Sequence, residues 1–380
     1  MRVAILTPIL APYRVPAFRA LADTPGWDVR VFLNAESEFD RSWEVDAGAL
    51  DVAFVTTCSV RRSDRTLHLT APWSLWQALD RFRPDVVVSA EFGSRSLAAW
   101  AYCKRRKLPL VLWALPTRAH VAACGPLRRA LGPFLLKRAA AVAVPGKEAR
   151  RALQRWPVDT ERIFTAPNCH DSEGFDKALA AFDREASLRD LRAGLGARGR
   201  IALVAGRLFP VKGTAEVLAA WDRLPPELRE NWTLLFVGDG PLADRVARAA
   251  RSHPPGEIIR LPAVQPADLV EFYAAADLLV FPSLGDVWGL AVNEAMACGR
   301  PVVCSTRAGC AEDLVVPGET GWLADAADPD AFAATLREAL TCPVREALGK
   351  NARDRVADFN PAAMAEGFRR AIRAAREPRS

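Results

Sequence analysis

The chain of 380 residues is half hydrophobic and a quarter charged, a composition that excludes a disordered chain, and its length predicts two domains. Its net charge of +6 is far below that of a dedicated nucleic-acid binder, although residues 1–150 carry 22 basic and 13 acidic side chains while the remainder is net −3. Eight cysteines without a CxxC pair and four histidines never paired at i, i+4 exclude a disulfide framework and a zinc or catalytic-metal motif. The longest apolar stretch, LPLVLWALP at 108–116, is less than half of the ~20 residues that span a bilayer.

Taken in chain order, the N-terminal MRVAILTPIL reads as a first strand, because its apolar core is too short for a signal peptide and no small-residue cleavage site follows. Four more Val-, Ile- and Leu-rich runs follow at 28–33, 85–90, 108–114 and 140–145. Between them, Trp73, Trp76, Leu79 and Phe82 recur at helical spacing, so WSLWQALDRF is an amphipathic helix. Two basic clusters, KRRK at 104–107 and Arg128, Arg129, Lys137 and Arg138, fall on helices of this half. They read either as a solvated face or as an attachment surface for anionic lipid.

Residues 173–199 carry no strand pattern and read as an interdomain connection, part helical. A second series of strands begins at 201–206 and continues through 233–240, 257–263, 277–283, 301–305 and 321–325. Strands alternating with helices predict parallel βα units, and two such series predict two doubly wound domains with ligands at the C-terminal ends of the strands. In the tail, Phe368, Ile372 and Ala375 form the apolar stripe of a docking helix.

Two segments carry chemistry. FPSLGDVWGLAVNEAMACGRPVVCS at 281–305 runs from a strand through a loop with Gly285, Asp286 and Gly289 into a helix starting near Leu290. The first amides and dipole of such a helix suit a diphosphate. Asp286 and Glu294 suit sugar or ribose hydroxyls, since carboxylates accept their hydrogen bonds; the alternatives are a turn former and a helix surface charge. In AGRLFPVKG at 205–213, Arg207 and Lys212 follow a strand between Gly206 and Gly213. Two fixed cations there can neutralise a departing diphosphate; taken alone they would be a surface pair.

GRLFPVKG, VGDGP (237–241), PSLGDVWGLAVNEAMACGRPVV and GETGWL (318–323) resemble, in order and spacing, the C-terminal half of the retaining GT-B glycosyltransferases of family 4. VAILTPILAPYRVPAFRALA (3–22) and IFTAPNCHD (163–171) are more faintly similar to the first half of that family. The resemblance implies a GT-B fold, two Rossmann-like domains facing a cleft. It divides the chain into an N-terminal acceptor-binding domain (1–172), the connection, a C-terminal sugar-nucleotide domain (200–357) and a C-terminal helix (358–380) packing back on the first domain. It implies transfer of a hexosyl group from a UDP-, GDP- or other nucleoside-diphosphate sugar to a glycan or lipid-linked acceptor, with retained configuration and neither metal nor cofactor. The expected location is the cytoplasm or the inner face of its membrane, without nucleic acid as partner.

In that scheme Arg207 and Lys212 hold the diphosphate, Glu294 the ribose and Asp286 the donor sugar, while Gly206, Gly289 and Leu290 offer close backbone approach. Val264, in the loop after EIIRLPA, lies where the base is expected. Asp286 stands where the family usually has Glu. The first-strand loop lacks glycine between 8 and 14, which turns attention to Tyr13 and Arg14 on the acceptor side; His120 is a further acceptor-side candidate. Rival readings are a homologue that binds sugar nucleotide or a partner without turnover, and a GT-B sugar-nucleotide epimerase.

Overall fold

In the computed structural model the described residues are 1–37, 45–61, 66–123, 125–156, 158–180, 186, 190, 193–194 and 196–377. They divide into two units, Met1–Asp171 with Asn360–Ser380, and Ser172–Phe359.

The first unit is built on a seven-stranded parallel sheet. Its strands are β1 (Arg2–Thr7), β2 (Asp28–Leu33), β3 (Asp51–Phe54), β6 (Val86–Ala90), β7 (Leu110–Trp113), β8 (Ala141–Val144) and β9 (Ile163–Thr165), in the order β3-β2-β1-β6-β7-β8-β9. A separate antiparallel hairpin, β4 (Thr57–Arg61) and β5 (Thr66–Thr70), precedes the helix Pro72–Phe82. Side chains alternate across the sheet, as strand geometry requires. Val3, Ile5 and Val88 enter a core with the helices Val15–Ala22 and Pro361–Arg376, whereas Ala4, Leu6 and Val87 enter another with Pro72–Phe82 and Ser94–Arg106. Both faces are covered, which explains why these strands read as continuous apolar runs.

The tail helix completes this unit. Asn360 caps its start by accepting from the Ala363 amide at 2.9 Å, and Phe368 stacks edge-on to Trp113 with centroids 5.2 Å apart. At Gly367 a Cβ would lie 2.2 Å from the Thr165 carbonyl, so only glycine lets the helix approach β9 this closely.

The second unit has a six-stranded parallel sheet. Its strands are β10 (Arg200–Ala205), β11 (Trp232–Val237), β12 (Ile258–Leu261), β13 (Leu278–Phe281), β14 (Val302–Ser305) and β15 (Gly321–Ala324), in the order β12-β11-β10-β13-β14-β15. Ile201, Leu203 and Phe281 face one core, Ala202, Val204 and Val280 the other. The helix Ser172–Ala180, read from sequence as part of a connection, belongs to this unit. Its Phe175 packs on Tyr273 of the helix Pro266–Ala275, with centroids 6.3 Å apart.

In each sheet the chain winds outward from its first strand and then reverses, between β1 and β6 and between β10 and β13. Such switch points leave a crevice at the C-terminal strand ends where ligands of these folds bind. The sequence reading located both strand series but missed β3, β9 and the hairpin, whose runs are short or mix polar with apolar residues.

Candidate active site

The loops after β10 and β13 meet at the switch point of the second unit. After β10, the chain turns through Gly206 and a single 3-10 turn, Pro210–Lys212, to the helix Thr214–Asp222. Gly213 has φ 76°, and a Cβ there would lie 1.8 Å from the Pro282 carbonyl, so the two loops are in backbone contact. The Val211 carbonyl locks them together by accepting from the Leu284 amide at 2.9 Å and the Ser283 hydroxyl at 3.2 Å. The loop after β14 joins through Gly309 and Cys310, whose amides donate to the carbonyls of Asp286 and Trp288 at 3.0 Å each.

This frame brings Lys212 against Asp286. The ammonium donates to Asp286 Oδ2, and both side chains are largely shielded, 24% and 14% exposed respectively. Burial pushes the Asp286 carboxyl up, but Lys212, the Trp288 amide and the nearby Arg207 together hold it below the usual carboxylate range. Asp286 therefore stays anionic, and Lys212 is fixed at the crevice. Arg207 lies beside its neighbour Phe209, its guanidinium carbon 5.3 Å from the ring centroid.

Gly289 caps the next helix, Leu290–Ala297, its carbonyl accepting from the Val292 amide at 2.9 Å, and the Leu290 and Ala291 amides have no acceptor within the helix. With φ 114°, and with Phe281 only 2.7 Å from where its Cβ would be, this position admits only glycine without displacement. On the second turn, Glu294 accepts a hydrogen bond from Tyr273 through Oε2 at 2.7 Å. Burial raises the Glu294 carboxyl, and the Tyr273 hydroxyl offsets part of that rise. Leu290 and Val264 are half-buried and pack against the same core.

Tyr273 and Asp239 are contributors that the sequence reading missed. Asp239, in VGDGP, binds Arg260 and accepts from the Ala263 amide at 2.8 Å, shaping the loop that carries Val264. A sequence signal existed for Asp239, since an acid between two glycines just after a strand is placed at the ligand edge. None existed for Tyr273, which falls on the apolar stripe of its helix.

In the first unit, the loop after β1 forms a 3-10 turn, Pro12–Arg14, that carries Tyr13 and Arg14. The Arg14 guanidinium lies 4.5 Å from the Trp113 ring centroid and donates to the Thr7 hydroxyl at 3.2 Å. These residues sit at the C-terminal ends of β1 and β7. His120 falls on the helix Arg118–Ala123, and its side chain lies outside the described residues. No group of three or more His, Cys, Asp or Glu suited to a metal occurs among the described residues.

Residues 191–355 match the family described as Glycosyl transferases group 1, and residues 11–169 match the Glycosyl transferase 4-like domain. The chain belongs to the group 1 glycosyl transferases. Among relatives of this group 1 chain is a D-inositol 3-phosphate glycosyltransferase of Acidothermus cellulolyticus, 34% identical over 215 residues, 54% of this chain and 46% of that one. The chain spans about half the length of the first such relatives it matches. Solved structures share the fold. Sucrose-phosphate synthase from Thermosynechococcus elongatus superposes with a TM-score of 0.74 at 20% identity, over 98% of each chain. Anabaena Alr3699/HepE in complex with UDP and glucose gives 0.75 at 18% identity, over 98% of this chain and 99% of that one. The architecture of this group 1 member is thus GT-B, two Rossmann-like α/β domains.

Proposed function

We propose that the chain is a retaining hexosyltransferase that takes a sugar from a nucleoside diphosphate and passes it to a glycan or lipid-linked acceptor. The observation that carries this reading is the convergence of Arg207, Lys212, Asp286 and the Gly289 helix start at the switch point of the second unit. Relatives named as glycosyltransferases, and the UDP and glucose in the HepE structure, support it.

In this reading the two cations take the place of a metal. As the bond from the anomeric carbon to the diphosphate oxygen breaks, negative charge grows on that oxygen, and Lys212 and Arg207 stabilise it. Removing one such electrostatic group typically costs ~10²–10³ in rate. Asp286, held ionised, accepts from sugar hydroxyls, and Glu294 accepts from the ribose through the oxygen that Tyr273 leaves open. Gly206 and Val264 line the nucleotide side. The acceptor hydroxyl attacks from the face the diphosphate leaves, its oxygen bonding to the anomeric carbon while its proton passes to the departing phosphate. The first unit presents the acceptor through Tyr13, Arg14 and His120.

The test is NMR of wild type and Lys212→Ala with nucleotide sugars and candidate acceptors. Retained anomeric configuration in the product, with the rate at least ~10²-fold lower in the variant, is expected. An inverted product, or equal rates, contradicts the proposal.

A further inference from the structure

At the opposite end of the first unit's sheet, where its strands begin, a cavity of about 790 Å³ opens between the ends of Ser94–Arg106, Pro126–Leu136 and Pro361–Arg376. Lys104, Lys107, Lys137, Arg138, Arg162 and Arg376 line it, against Asp85 and Glu377. Asp85 is already engaged by the Arg2 amide at 2.7 Å. Among the described residues Lys104, Lys107, Lys137 and Arg138 have no carboxylate partner, and all four are exposed. Two of them surround an aromatic ring instead: Lys104 and Arg138 lie 5.5 and 5.6 Å from the centroid of Trp100, itself in the cavity wall.

A second cavity of about 730 Å³ runs along the neighbouring helix Pro72–Phe82, with Arg2, Arg81 and Arg83 at its strand-start end and Asp80, which is paired with Arg106, also in its wall. Helix C-termini attract cations through their dipole, which accounts for Arg81 and for Lys104, Arg105 and Arg106 in the last turns of Pro72–Phe82 and Ser94–Arg106. It does not account for Arg83 and Lys107. These residues end their helices in the left-handed conformation, φ 55° and 57°, where glycine is the ordinary occupant and a Cβ is disfavoured. The chain keeps a cation at both helix ends in place of the residue the backbone favours.

We propose that this strand-start edge of the first unit docks on a bilayer rich in anionic phospholipid, with Lys104, Lys107, Lys137 and Arg138 taking headgroup phosphates. Unpaired cations over two adjacent cavities suit an extended anionic surface better than one small ion. The surface lies at the other end of the sheet from Arg14 and Trp113, and the inference does not depend on sugar transfer.

Vesicle flotation of the full chain tests it, using phosphatidylcholine alone and with a third phosphatidylglycerol. Binding is expected only to the anionic vesicles and should weaken as salt rises. Lys107→Gly and Arg83→Gly should each lower partitioning about fivefold and Lys104→Ala with Lys137→Ala about 25-fold. The two glycine variants should melt no lower than wild type, since each relieves a left-handed side chain, so lost binding cannot be put down to unfolding. Absence of binding at low salt, unchanged binding in the variants, displacement by millimolar inorganic phosphate, or preference for a DNA duplex over the anionic vesicles would each overturn the proposal.

Discussion

Tyr273 donates its hydroxyl hydrogen to Glu294 across 2.7 Å, from a ring that is 1% exposed. The bond engages Oε2, and Oε1 has no partner among the described residues. Because this hydroxyl holds the Glu294 carboxyl down against burial, Tyr273→Phe lets the carboxyl rise further. The expected result is donor affinity about tenfold weaker at neutral pH, with the acid limb of donor binding moved to higher pH. Donor titrations across pH check it; an unmoved limb means that Glu294 does not act on the donor in its ionised form.

Glu294→Gln separates stability from binding. A carboxyl whose folded pKa is raised binds more protons folded than unfolded, so its ionisation destabilises the fold as pH rises through that range. The amide removes that cost. The variant should melt at or above wild type at neutral pH while binding donor at least about tenfold more weakly. Thermal melts beside calorimetry measure both, and a less stable variant with full affinity would count against the assigned role.

Much of this site was legible in the sequence, for a physical reason. Strand ends, glycine-marked turns and helix starts fix where Arg207, Lys212, Asp286 and Gly289 must lie along the sheet edge, so their types and spacing already place them together. Partnerships across elements were not legible. The Tyr273–Glu294 bond joins two helices whose separation depends on packing, and Tyr273 looks like any other core position. The same holds for Arg14 over Trp113, one in the turn after β1 and the other at the end of β7, which come together only once β6 and β7 follow β1 in the sheet.

Lys212→Ala should lower stability in a pH-dependent way. The Asp286 carboxyl is held low, so its pairing contributes above the ordinary carboxyl pKa and is lost as pH falls through the depressed value. With Lys212 24% exposed, the loss at neutral pH is about 2 kcal/mol, below the ~3–5 of a fully buried pair and equivalent to about 4–8 °C. The gap between variant and wild type should close in acid. Melting curves from pH 7 to pH 3 decide it, and a gap that stays constant across that range would contradict the pairing.

Gly213→Ala tests the frame that joins the two loops. The new Cβ would meet the Pro282 carbonyl at 1.8 Å in a left-handed backbone, so a loss of more than about 3 kcal/mol is expected together with loss of donor binding. Gly206→Ala is the control. It also has a positive φ, 131°, but its Cβ would enter open space, and it should lose no more than about 1–3 kcal/mol. Equal melting temperatures for the two variants would show that the loops are not in contact through Gly213.

The central claim is that the second unit holds a nucleoside diphosphate on Arg207 and Lys212. Titration calorimetry of the full chain against UDP, GDP, ADP and dTDP, repeated with Arg207→Ala and Lys212→Ala, measures it directly. The account predicts that at least one diphosphate binds and that each substitution weakens it about tenfold or more, the loss of a charged hydrogen bond. Binding of none of the four, or wild-type affinity in both variants, would contradict it.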